Sequence, residues 1–157
     1  MSLEKAKAHL RLWNKDKDIK EHDHSSATVE LAAQALGTDP CRIAKTLSFL
    51  NGERTILLVA AGDARVDSSR FKKVFGVKKV KMVPAEEVET RTGHAVGGVC
   101  PFGVPDGADV YLDTSLSRFE SVFPACGSAN SSIELTLPEL ERCSGSKGWV
   151  DVCRDWH

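Results

Sequence analysis

Two β-rich runs, residues 46–50 (TLSFL) and 55–60 (TILLVA), are joined by Asn51-Gly52-Glu53-Arg54. An Asn-Gly pair between two such runs is a strong hairpin signal, because both residues tolerate the positive φ that a tight hairpin turn demands. A hairpin here excludes a purely parallel, doubly wound sheet. Helical signals lie on both sides of it, so strands and helices are interspersed. The expected fold class is α+β, a single domain with a mixed, twisted β-sheet flanked by short helices. The 157 residues fit one domain. With 41% apolar residues and 12 glycines the composition is that of a globular chain.

Leu3, Ala6, Leu10 and Trp13 fall at helical spacing, so residues 1–20 read as a helical extension to a domain spanning 1–157. Val29, Ala32, Ala33 and Leu36 line one face of a second helix, with Gly37 as its stop. Asp39 before Pro40 predicts a short helix through Ile43 that ends near Lys45, at a helix-to-strand junction. Asp67 caps a helix that turns Phe71, Val74 and Phe75 inward and ends at Gly76. Residues 77–83 read as a strand, and Pro84 opens a short helix that Gly93 closes. Residues 93–107 (GHAVGGVCPFGVPDG) hold five glycines and two prolines, a density that suits a shaped loop. Strands are expected over 109–113, 121–126 and 132–137, then a helix from Pro138 through Arg142 and an edge strand over 149–152.

Composition narrows the function. No apolar run approaches the roughly 18 residues of a membrane-spanning helix. The charged N-terminus lacks the apolar core of a secretory signal, so a cytoplasmic protein is expected. Five widely spaced cysteines without a C-x-x-C read as reduced thiols. A net charge of -1 argues against nucleic-acid binding by bulk electrostatics, so any contact has to be local. The segment RFKKVFGVKKVK offers one such surface, with Arg70, Lys72, Lys73, Lys78, Lys79 and Lys81 and no acid between them. The plainer reading of that segment is a solvated helix and strand face. His22 and His24, in EHDH, could join a cysteine on zinc, but no second ligand pair has metal-site spacing. No metal or cofactor is expected.

Four stretches taken together, TVELAAQALGTDPCRIAKTLSFL, TILLVAAGDARVD, GHAVGGVCPFG and VFPACGSANSSIELT, resemble the YbaK and prolyl-tRNA synthetase associated editing-domain family over about residues 20 to 140. The resemblance implies a free-standing counterpart of the editing insertion domain of bacterial prolyl-tRNA synthetases, which hydrolyses amino acids from wrongly charged tRNAs. It places the family's functional lysine on Lys45 in KTLSF, beside Thr46, and its G-x-x-x-P loop on Gly97, Gly98, Val99, Cys100 and Pro101. A later pocket-shaping turn falls on Gly127 and Ser128, with Asn130 nearby, and a variable entrance on His24 and Thr28. Two departures stand out. Cys100 occupies a position where several relatives carry serine or another small residue, and GSANSS differs from the GxRG-type sequence of the cysteine-specific branch. The implied substrate is a tRNA mischarged with a small amino acid of the alanine, cysteine or serine class. An aminoacyl-tRNA synthetase is admitted as a second partner; neither membrane nor DNA is expected.

Hydrolysis of an activated ester needs a positioned water, charge stabilisation at the carbonyl oxygen and exclusion of the correct aminoacyl group. Lys45 can supply a fixed positive charge, and Gly97 and Gly98 let backbone N–H groups approach the substrate. No general base is evident in the sequence. The resemblance points instead to assistance from the substrate's own ribose hydroxyl or amino acid group. The alternative is a non-catalytic tRNA- or nucleotide-binding module on the same scaffold.

Overall fold

The computed structural model describes residues 2–23, 25 and 28–156. In chain order the helices are α1 (Ser2–Arg11), α2 (Val29–Leu36), α3 (Ser68–Phe75), α4 (Ala85–Thr92) and α5 (Leu137–Ser144). The strands are β1 (Lys20–Glu21), β2 (Ile43–Asn51), β3 (Arg54–Ala61), β4 (Arg65–Val66), β5 (Ala108–Asp113), β6 (Ser121–Pro124), β7 (Ser131–Ser132), β8 (Leu135–Thr136), β9 (Trp149–Val150) and β10 (Cys153–Arg154). The main sheet has six strands in the order β8-β6-β2-β3-β5-β9. It is mixed: β2 runs antiparallel to β3 and parallel to β6, while β3 runs parallel to β5. Two small pairs, β1 with β7 and β4 with β10, lie outside it. The structure is thus the α+β single domain that the hairpin and its flanking helices imply.

The hairpin organises the core. Its register runs from Ala44 opposite Ala61 to Asn51 opposite Arg54. In β3 every residue from Thr55 to Ala61 is buried, which explains the unbroken apolar run TILLVAA: a central strand covered on both faces needs no polar alternation. Phe49, Phe71, Phe75 and Tyr111 stack in succession with ring centroids 4.7, 4.6 and 4.9 Å apart, fixing α3 against the sheet. A smaller cluster, Ala32, Ala33, Ile43 and Phe123, fixes α2 over the start of β2. α1 buries Ala6 and Leu10 completely in the main core.

Helix ends follow their local chemistry. Thr28 accepts the Leu31 N–H at the start of α2, and Asp67 accepts the Arg70 N–H at the start of α3. Thr136 and Glu139 form a reciprocal capping box on α5.

Four local expectations need correction. The Asp39-Pro40 signal yields only a 3-10 turn, Pro40–Arg42, and β2 begins at Ile43, so Lys45 lies inside the strand. Ile43 and Ala44 pair with Phe123 and Pro124 of β6, and this long-range ladder captures residues that a local helix signal would claim. Residues 77–83 are not a strand; they follow β2 with two backbone bonds, Leu50 N–H to Lys81 O and Val83 N–H to Ser48 O. Residues 132–137 split between β7 and β8, which pair with different partners. Val74 is 48% exposed and does not pack inward.

Candidate functional site

Where β6 ends short of the full length of β2, a cavity of about 340 Å³ opens against β2. Its walls come from five places: Thr28, Val29 and Ala32 at and after the start of α2; residues 43–48 of β2; Met82, Val83, Ala85 and Val88 before and within α4; Val96, Gly97 and Val99; and Phe123, Ala125, Ser131 and Ser132. The volume is at the small end for a ligand site, and the lining is mainly small and apolar with a few hydroxyls. Met82 and Val96 at its margin are exposed.

Lys45 carries the cation at this cavity. Its ammonium donates to the Gly62 carbonyl at 3.3 Å and to the Ala64 carbonyl at 2.5 Å. Two of three N–H donors are thereby committed and the side chain is held in one place. Burial pushes the Lys45 ammonium below the ordinary lysine value, while the Asp63 carboxylate opposes that shift. Asp63 belongs to the same turn and is gripped by Arg118 at 2.6 and 3.0 Å. The Arg118 hydrogen bond holds the Asp63 carboxyl below its usual value. The turn sits tightly: a Cβ at Gly62 would lie 2.1 Å from the Pro40 carbonyl oxygen. The carbonyls that hold Lys45 are thus themselves fixed from both sides.

The two glycine-bearing loops meet directly. A Cβ on Gly98 would stand 2.7 Å from the Gly127 carbonyl carbon and oxygen and 2.8 Å from the Ser128 nitrogen. Gly97 beside it has φ +92°, a conformation that side chains other than glycine rarely adopt. Gly97 and Val99 face the cavity, whereas Gly98 is the contact that locks the loop onto residues 127 and 128.

The expected site residues therefore divide. Lys45, Thr46, Thr28, Gly97 and Val99 line the cavity. Thr46 Oγ1 is buried and has no hydrogen-bond partner among the described residues. Gly98, Gly127 and Ser128 form the loop contact behind the wall. Asn130 donates from Nδ2 to the His22 carbonyl at 3.0 Å, and Ser128 Oγ lies 2.6 Å from Ser131 Oγ. Cys100 and Pro101 are buried and outside the cavity lining. The Cys100 Sγ lies 3.4 Å from His94 Nε2, and burial pushes its thiol up to about 12. His24 lies outside the described residues.

Arg70, Lys72 and Lys73 are exposed on α3, and Lys78, Lys79 and Lys81 are exposed on the segment that leads to Met82 and the cavity margin. Arg70 differs from the lysines in being tied down, donating to the Cys153 carbonyl at 2.9 Å.

Sequence reasoning missed Val83, Val88, Ala125, Ser131 and Ser132 as lining residues. The hydroxyl-dense run GSANSS beside apolar strand sequence was the available signal for the last two.

The comparisons with known proteins agree with one another. Residues 23–143 match the model of the aminoacyl-tRNA editing domain. The uncharacterized protein YwhH of Bacillus subtilis (strain 168) is 52% identical over 157 residues, covering 99% of either chain. A candidate Cys-tRNA(Pro)/Cys-tRNA(Cys) deacylase of Enterococcus faecalis, EbsC, is 32% identical over 115 residues, 72% of this chain and 68% of that one. The crystal structure of a candidate trans-editing enzyme for prolyl-tRNA synthetase superposes with a TM-score of 0.87 at 27% identity, over 98% of this chain and 97% of that one. A family model covering most of the sequence and a close match in fold leave one assignment: the chain belongs to the aminoacyl-tRNA editing domain family.

Proposed function

We propose that this protein is a trans-acting aminoacyl-tRNA deacylase that removes a small amino acid, of the alanine, cysteine or serine class, from mischarged tRNA in the cytoplasm. The observation that supports the reading is the cavity of about 340 Å³ whose lining brings Lys45, Gly97 and Val99 to one small, mainly apolar space. In this reading the chain acts as one editing domain over 1–157, with residues 1–20, helical over Ser2–Arg11, as its N-terminal extension. The aminoacyl group enters the cavity, and its size limits what is accepted.

Lys45 supplies fixed positive charge near the ester, and its remaining N–H donor points the electrostatics of the site at an anionic or carbonyl oxygen. The backbone of Gly97 approaches the ester, while Gly98, whose N–H donates to the Ala95 carbonyl at 3.0 Å, holds the loop in place from behind; Val99, Thr28 and Thr46 lie against the aminoacyl group. Gly127, Ser128 and Asn130, together with Cys100 and Pro101, support the loop from behind. His24 is assigned to the entrance from the family resemblance alone. The tRNA backbone runs along Lys78, Lys79 and Lys81 toward Arg70, Lys72 and Lys73 on α3, because this segment leads to the cavity margin. An aminoacyl-tRNA synthetase could hand over the substrate as a second partner.

The test is direct. Purified protein is incubated with tRNAs charged with alanine, cysteine, serine or threonine and with prolyl-tRNA, beside Lys45→Ala. Selective release that the substitution abolishes is the expected result. If no ester is cleaved faster than in buffer, the chain is a binding module and not a deacylase.

A further inference from the structure

The cavity has a polar pair in its wall that none of the roles above uses. Ser132 is 3% exposed and lines the cavity, and its Oγ lies 2.8 Å from His22 Nε2. Behind that wall His22 lines a second, solvent-facing cavity of about 540 Å³ together with exposed Glu21, Asp23 and Ser25. The histidine is held there by its backbone: its N–H donates to the Asn130 carbonyl at 2.7 Å, and Asn130 Nδ2 donates to its carbonyl at 3.0 Å. Pairing of β1 with β7 sets Lys20 opposite Ser132 and fixes the serine's depth in the wall. Ser131, by contrast, is closed into a chain: its Oγ lies 2.6 Å from the Ser128 hydroxyl, which donates to Asn130 Oδ1 at 3.0 Å. Among the described residues, Ser132 is the hydroxyl of the cavity lining that is hydrogen-bonded to an imidazole.

We propose that Ser132 and His22 form a proton relay that activates the hydrolytic water of the deacylase described above. The inference rests on that reading and supplies the base that the sequence did not show. In the tautomer that leaves Nε2 bare, His22 accepts the Ser132 hydroxyl proton while Ser132 Oγ accepts one from a water in the cavity. The resulting hydroxide oxygen bonds to the ester carbonyl carbon, whose π pair moves to the carbonyl oxygen beside Lys45. Collapse of that intermediate breaks the bond to the ribose oxygen. The leaving oxygen takes a proton back through Ser132 from the imidazolium, which returns His22 to its neutral form. Ser132 is then a catalytic residue, and His22, acting through it, a positioning and proton-holding residue open to solvent.

The experiment uses the full chain and the mischarged tRNA that the wild-type protein cleaves best, with His22→Ala, His22→Gln and Ser132→Ala compared at saturating substrate. All three should lower kcat by about 10²-fold or more with little change in KM, the usual scale for loss of general acid–base assistance. His22→Gln keeps a hydrogen-bond partner for Ser132 but cannot take up the proton, so its loss of rate separates relay from scaffolding. Added imidazole, admitted through the cavity behind the wall, should restore His22→Ala and leave Ser132→Ala unchanged. A wild-type kcat for His22→Gln overturns the relay, as does a His22→Ala defect confined to KM and indifferent to imidazole. In either case the deacylase reading stands on wild-type cleavage. A wild-type chain that cleaves none of the esters removes both.

Discussion

Gly98→Ala is the sharpest test of how the site is built. The added Cβ would sit 2.7 Å from the Gly127 carbonyl, inside the 3.4 Å at which packing becomes ordinary, and its three nearest neighbours are all backbone atoms. No side chain can swing aside, so the 97–99 loop and residues 127–128 must part by about 0.7 Å. Two terms compete. Replacing glycine restricts the unfolded chain and stabilises by about 0.4–1 kcal/mol, whereas overpacking a close backbone approach costs about 1–3 kcal/mol. The second wins, for a net loss on the order of 1–2 kcal/mol. For a domain of this size that is a fall of roughly 2–8 °C in Tm. Because Gly97 and Val99 line the cavity, a shift of this size at the reacting ester should also lower kcat/KM, and misplacement near 1 Å can cost about 10²-fold. Gly107→Ala is the control, since nothing lies within 4 Å of its Cβ. Urea unfolding of both variants and of the wild type, read as a change in midpoint at constant slope, isolates the effect of the close approach. Equal stability of the two variants would refute the reasoning, because it would mean the loops do not touch as described.

Three other outcomes follow from the same geometry. Lys45→Met should lower single-turnover deacylation by about 10²-fold, the scale for loss of one fixed electrostatic group at a developing oxyanion; a wild-type rate would remove Lys45 from the chemistry. Charge reversal at Lys78 and Lys79 should raise KM for aminoacyl-tRNA and flatten its salt dependence by about 0.7–0.9 logarithmic units for each phosphate no longer neutralised. Equal salt slopes would locate the tRNA elsewhere. Arg54→Met removes the two-pronged grip on Asp109, at 2.8 and 2.7 Å, whose hydrogen bonds hold that carboxyl below its ordinary value. A depressed carboxyl stabilises above its unfolded pKa and loses that contribution as pH falls through the folded one. The stability gap between wild type and Arg54→Met should therefore be widest near pH 7 and close below about pH 4. A gap independent of pH would refute the assignment.

What the sequence revealed was what local chemistry controls. The hairpin turn with Gly52 at φ +62°, the Asp67 cap and the αL glycines at Gly37 and Gly76 end or begin elements where their side chains and φ angles require. What it concealed was set by distant partners. Residues 43–45 become strand because Phe123 and Pro124 lie alongside, and residues 77–83 fail to become one although three valines recommend it. Of the site, Lys45 and the 97–99 loop were legible as motifs, but the cavity that joins them is closed by Val83, Val88 and Ala125, which look like any core residues in one dimension. The His22 and Ser132 pair spans 110 positions and has no periodic signature. In EHDH the histidines suggest a metal; in three dimensions His22 faces a serine.

The buried thiol of Cys100 bears on a different kind of failure. A protein that handles activated esters must keep strong nucleophiles away from them, because a thiolate attacks an aminoacyl ester faster than water does and would carry the amino acid off as a thioester. The loop at the cavity places a cysteine one residue from Val99, which lines it. With its side chain fully covered and its thiol pushed up to about 12, Cys100 stays a neutral thiol at pH 7. Burial thus acts as chemical insulation: the loop keeps a sulfur for packing while leaving water as the acyl acceptor. A substitution that opens the Phe102 side of the loop would expose that sulfur and let it displace the ribose oxygen of the aminoacyl ester, leaving the amino acid on the protein as a thioester.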